Sequence, residues 1–184
     1  MKFIRGFIRR SRRKKTPAEG LKTLIILTPV LLVAALLTVL LPARPVRMPD
    51  DAMAPRFEAG GLLLVNRMVP KIGTLHHSDV ITYVPDANFP DNYRVGRIHA
   101  IPGETVSVAE GRLQVNGEDT GESVGTQAGT LTTAFQLAPG EYVVLNDNRA
   151  NVNDSRAVNI GVVSESKITG RVQLQLTPKP AWTR

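Results

Sequence analysis

The polar and apolar positions along the chain change character twice. Thr23 to Leu41 is a run of 19 residues with no charge and no polar stripe. At ~1.5 Å per residue it is long enough to cross a ~30 Å hydrocarbon layer, so it predicts one membrane helix. Pro29 removes a backbone donor inside that run, and Thr28 is placed to help satisfy the freed backbone. Residues 42–50 hold three prolines and no period, which predicts a short extended linker. Beyond it the apolar residues fall in short β-branched or aliphatic runs: Leu62–Val65, Val80–Val84, Val95–Ile101, Thr105–Val108, Leu113–Val115, Tyr142–Leu145 and Val172–Leu176. Pro102-Gly103, Asn116-Gly117 and Pro139-Gly140 punctuate them. The expected fold is mainly β, a barrel-like or sandwich-like body over 51–178 behind one N-terminal transmembrane helix at 23–41. Gly121–Thr133, rich in Gly, Thr and Ser, reads as an exposed mobile loop, and 179–184 as a tail.

Charge sharpens the membrane reading. Of the 23 Lys and Arg, nine fall in residues 1–22 beside a single Glu, leaving 14 basic against 15 acidic residues in the rest. A basic leader next to an apolar span, with a near-neutral body, argues against a nucleic-acid groove. It predicts a single-pass protein of the cell membrane, N-terminus cytoplasmic and body extracytoplasmic, with the lipid bilayer as a partner. A cleaved secretory leader has a shorter apolar core and a small-x-small site, whereas this run ends Leu40-Leu41-Pro42-Ala43-Arg44. There is no cysteine, hence no disulfide, thiol nucleophile or cysteine-based metal site.

Several short elements follow in order: Ala52-Met53-Ala54-Pro55, Ser78-Asp79-Val80-Ile81-Thr82-Tyr83, Val95-Gly96-Arg97-Ile98, Pro102-Gly103-Glu104, Asn116-Gly117, and Asn146-Asp147-Asn148-Arg149 with Asp154-Ser155-Arg156. Together they resemble the ordered boxes of the type I signal peptidases, membrane-bound serine peptidases of family S26 that use a Ser/Lys dyad. The resemblance implies a signal-peptidase-like β-body and assigns its peptide-binding cleft to Met53 and Pro55. It gives Arg97, Asp147, Asn148, Arg149, Asp154, Ser155 and Arg156 structural roles. In that family the nucleophile precedes Met and the base precedes Arg, so the dyad-equivalent positions here are Ala52 and Gly96. Ser78 and Asn146 stand where the family has Gly, and Val152 where it has Ser.

Acyl transfer by such a dyad needs a hydroxyl to attack and a neutral amine to take its proton. Ala52 and Gly96 supply neither, so no catalytic residue is intact. Arg97 stays protonated and faces the opposite side of a strand from Gly96. Asp50 and Asp51, as neighbours in an extended chain, cannot form an aspartic dyad. His76-His77 has no metal-ligand spacing and reads as a solvated pair, so neither metal nor cofactor is expected. Asp154 with Arg156, and Asp147 with Arg149, would alternate along strands and share a face. The pattern is similar to inactive Gram-positive signal peptidase homologues, some of which assist sortase-mediated pilus assembly. It implies a peptide-binding or chaperone-like factor holding an extended segment of an exported protein such as a pilin, by strand addition. The alternatives are an active type I signal peptidase with a displaced dyad, or a self-cleaving repressor, for which a DNA-binding helix pair is missing.

Overall fold

The computed structural model describes residues 25–35, 43–125, 128–177 and 181–182. The chain divides into two compact units, Met1–Leu41 and Pro42–Arg184. In the first, residues 25–35 form helix α1, and Ile25, Ile26, Leu27 and the four residues 30–33 are all more than half exposed. The rest of the expected span at 23–41, and the leader 1–22, lie outside the described residues. Among the described residues no helix is long and apolar enough to cross a membrane.

The second unit is built from antiparallel strands. These are β1 (Ala43–Arg47), β2 (Leu62–Asn66), β3 (Val80–Tyr83), β4 (Arg94–Ala100), β5 (Thr105–Ala109), β6 (Arg112–Val115), β7 (Glu118–Ser123), β8 (Phe135–Gln136), β9 (Glu141–Leu145), β10 (Val163–Ser164), β11 (Ile168–Gln175) and β12 (Ala181–Trp182). A four-residue helix, α2 (Val69–Ile72), is its only α-helix among the described residues. The large sheet runs β1-β2-β11-β3-β4-β9-β10, with β12 on β11, and the small one runs β7-β6-β5-β8.

Each of the seven apolar runs becomes a strand because its side chains have a core to enter. Strand β3, between β11 and β4, is buried at all four positions, as a central strand covered on both faces should be. Val143 and Leu145 pack with Val106, Leu113 and Leu131 between the sheets, while Val144 turns to Ile81, Tyr83 and Ile98 on the other face. The β4–β9 register shifts between Ile98 and Ala100, so His99 is an extra residue on β4. Such bulges re-aim side chains.

Three expectations change. The prolines of 42–50 do not leave a free linker, because β1 pairs with β2 from Ala43↔Asn66 to Arg47↔Leu62. Pro45 is tolerated there because β1 is an edge strand, and the Tyr93 hydroxyl donates to Arg47 O at 2.6 Å. Within 121–133, β7 continues to Ser123, and Val124 and Leu131 are fully buried anchors. Part of the expected tail, Ala181–Trp182, pairs with β11.

Candidate functional site

The segment after β1 turns tightly on its own hydrogen bonds. Asp50 Oδ1 accepts the Ala52 N–H, Ala54 N–H reaches Asp51 O, and Phe57 N–H reaches Met53 O, with Ala54–Pro55 cis. The turn faces inward. Ala52 is buried, and Met53 and Phe57 have no exposure at all against Leu63, Val65, Val80 and Val95. Met53 therefore serves the core rather than the wall of an open cleft, and only Pro55 of the expected cleft pair is exposed. A long apolar side chain on an inward turn loses too much hydrophobic stabilisation by standing in water.

Gly96 lies in β4 opposite Ile81 of β3. A Cβ there would sit 2.6 Å from Val144 Cγ1, 3.6 Å from Leu145 O and 3.7 Å from Asn146 Oδ1. The first separation is inside van der Waals contact, so Val144 occupies the space in which a lysine at 96 would begin. Asn146 is 1 % exposed, and its Oδ1 is a buried acceptor without a donor. Its Nδ2 donates to Asn151 O at 2.9 Å, Asn151 Nδ2 donates to Asp51 Oδ1, and Asn148 N–H donates to Ala52 O. One loop thus ties the Ala52 turn to the neighbourhood of Gly96. Among the described side chains no serine hydroxyl shares a hydrogen bond with a lysine amine.

The structure brings the acidic and basic residues of the last box together, but on turns after β9 rather than on a strand. Arg156 and Asp154 form a fully buried fork, Nε to Oδ1 at 2.9 Å and Nη2 to Oδ2 at 2.6 Å. The guanidinium also donates to Val124 O, Arg149 O and Asn151 O, while Asp154 accepts the Asn146 and Arg156 N–H groups. Ser155 Oγ accepts the Val144 N–H, so it too fixes the loop. Asp147 and Arg149 do not pair with each other. Arg97 holds both oxygens of Asp147 and also donates to Ser78 O, whereas Arg149 Nη2 contacts Glu122 at 3.0 Å and His99 at 3.1 Å. Asn148 caps the turn through Asp51 and Ala150. His77 contacts Glu104 and His76 lies near Asp79.

A cavity of about 560 Å³ opens beside this network, lined by Arg56, Ser78, Arg97, His99, Glu122 and Arg149, with Ser123 and Asp147. Burial first, and then the Arg149 cation, pull His99 down to about 4, so the ring is neutral at pH 7. It donates from Nδ1 to Arg97 O and accepts at Nε2 from Arg149. Sequence reasoning singled out Arg97 and Arg149 but missed Arg56, Ser78, His99 and Glu122 as one constellation. Only the Arg97-Ile98-His99 spacing could have hinted at it, and the bulge that aims His99 has no signature in the sequence.

The profile of the signal peptidase family, peptidase S26, matches residues 21–177. The chain belongs to that family. It is 28% identical to signal peptidase I U of Bacillus subtilis over 169 residues, covering 86% of this chain and 89% of that one. It is 29% identical to signal peptidase IB of Staphylococcus aureus over 153 residues, covering 73% and 78%. A crystal structure of a signal peptidase I from Enterococcus faecalis aligns at TM-score 0.41 and 25% identity, over 55% of this chain and 98% of that one.

Proposed function

We propose that this chain is a membrane-anchored signal peptidase homologue that holds an extended segment of an exported protein without cleaving it, as an assembly factor for surface proteins such as pilins beside a sortase. The observation that carries the reading is the pair of dyad-equivalent positions. Ala52 has no hydroxyl, Gly96 has no amine, and Val144 fills the start of the path an amine would take. Losing a nucleophile alone removes most of the rate of an acyl-transfer enzyme. The apolar, exposed helix α1 behind a basic leader supports an anchor at 23–41, with 1–22 on the cytoplasmic side and the body outside.

The test is a repair. The full chain in detergent, mixed with a secretory precursor, is expected to leave it intact, as is the Ala52→Ser/Gly96→Lys double variant, whose lysine meets Val144. Adding Val144→Ala and Asn146→Gly makes room and restores the family's glycine, and slow cleavage should then emerge. Cleavage by the unaltered chain would overturn the reading in favour of an active peptidase with a displaced dyad.

A further inference from the structure

We propose that the arginine-lined cavity beside β4 is a carboxylate-binding site, separate from the vacated dyad, that takes an acidic side chain of an extended peptide. Gly96 and Arg97 point to opposite faces of β4, so the cavity lies across that strand from where a lysine at 96 would project. Arg56, Arg97 and Arg149 line the cavity together with Glu122 and Asp147, beside a neutral His99. The arginines are not equivalent. Arg97 is held by both oxygens of Asp147 and by Ser78 O, so it contributes field rather than a free donor. Arg149 is the anchor. Its Nη1 is buried with no acceptor, and its Nη2 carries the carboxylate of Glu122.

Glu122 shows which ligand suits this guanidinium. It is a carboxylate, it comes from the edge strand β7, and its side chain is 54% exposed, so an incoming carboxylate can displace it. The Nη2 arm already holds a carboxylate that can exchange, and a planar guanidinium suits that group. His99 supports that role by accepting from Arg149 Nη2 while its own Nδ1–H is tied to Arg97 O. Ser78 adds a second signal. It lines the cavity at φ +67, in the left-handed region, where the family pattern has glycine. A strained non-glycine residue facing a cavity points to a use for its hydroxyl. The volume, about 560 Å³ against ~30 Å³ for one water, suits a side chain with flanking backbone rather than a lone ion.

The proposal stands whether or not the chain cleaves a precursor. Its test is fluorescence anisotropy of the full chain in detergent at low salt. The probe is a labelled extended peptide bearing adjacent glutamates; its glutamine counterpart and inorganic phosphate are the comparisons. The glutamate peptide should bind about tenfold more tightly than the glutamine peptide, and that preference should shrink as salt is raised. Glu122→Gln removes the internal competitor and should tighten the glutamate peptide severalfold while leaving the glutamine peptide unchanged. Arg149→Gln should abolish the preference; if that variant does not fold, the exposed Glu122→Gln variant decides. Equal binding of the two peptides, no tightening in Glu122→Gln, or displacement of the peptide by phosphate at matched concentration would each overturn the proposal, the last by showing a simple phosphate site.

Discussion

Replacing Arg156 with methionine removes a guanidinium that makes five hydrogen bonds in a site with essentially no exposure. Asp154 then keeps only two backbone N–H donors, those of Asn146 and Arg156. Val124 O and Arg149 O lose a donor, whereas Asn151 O keeps Asn146 Nδ2. Breaking one side of a buried pair costs about 3–5 kcal/mol, because the remaining charge is neither paired nor hydrated. Each orphaned buried acceptor costs about 1–3 kcal/mol by itself, and methionine packing offsets part of that. The expected net loss is therefore about 3–5 kcal/mol, a large share of a total stability of about 5–15 kcal/mol. Urea unfolding of the full chain in detergent would read it as a lower midpoint at unchanged slope. The Asp154→Asn/Arg156→Met double variant should lose clearly less than the two single losses added, because the charge left unpaired in Arg156→Met is gone. A single-variant loss under about 1 kcal/mol, or strict additivity, would refute the view that this fork fixes the loop.

Three further outcomes are expected of the same body. Gly129 has φ +57, and a Cβ there would meet Arg156 O at a distance no contact allows; Gly129→Ala should cost about 3 kcal/mol or more in urea midpoint, whereas Gly60→Ala, in open space, should cost about 1. Ser78→Gly relieves left-handed strain but loosens the unfolded chain, so it should stabilise by about 0.5–1 kcal/mol in the same assay. His99 is held near 4 in the fold against its ordinary 6.5, so the unfolded chain takes up the proton first as pH falls. Its contribution is complete above pH 6.5 and is lost toward pH 4. It amounts to at most about 3 kcal/mol, and less because the ring borders the cavity. Midpoints at pH 7 and 4.5 for the parent and for His99→Gln check this, since the variant should lose much of the pH slope.

The strands were legible where apolar residues announced them. Val80–Tyr83 and Tyr142–Leu145 are almost entirely apolar runs because both faces of these strands are covered. Strand β7, Glu118–Ser123, has no buried position, so no pattern could mark it; it exists because β6 offers it a hydrogen-bonding edge. Strand β1 hid behind Pro45, which reads as a breaker unless the strand is known to be an edge. The same limit governed the site. The proposed dyad positions Ala52 and Gly96 rest on their boxes, in which an absent hydroxyl or amine is visible in letters alone. The burial of Met53 is not legible there, because the box gives an order of residues but not the direction in which the turn folds them. The partners of Asp147 and Arg149 come from β4 and β7, some 25 to 50 residues away along the chain, and no local spacing encodes such pairs.

Whether a held peptide leaves whole is the most direct question. A slight excess of the unaltered full chain, incubated with a secretory precursor and followed by intact-mass spectrometry, should give a complex in which the precursor keeps its full mass at every time point. Release of a fragment ending at the signal-peptide junction, at a rate above that of precursor alone, would contradict the account.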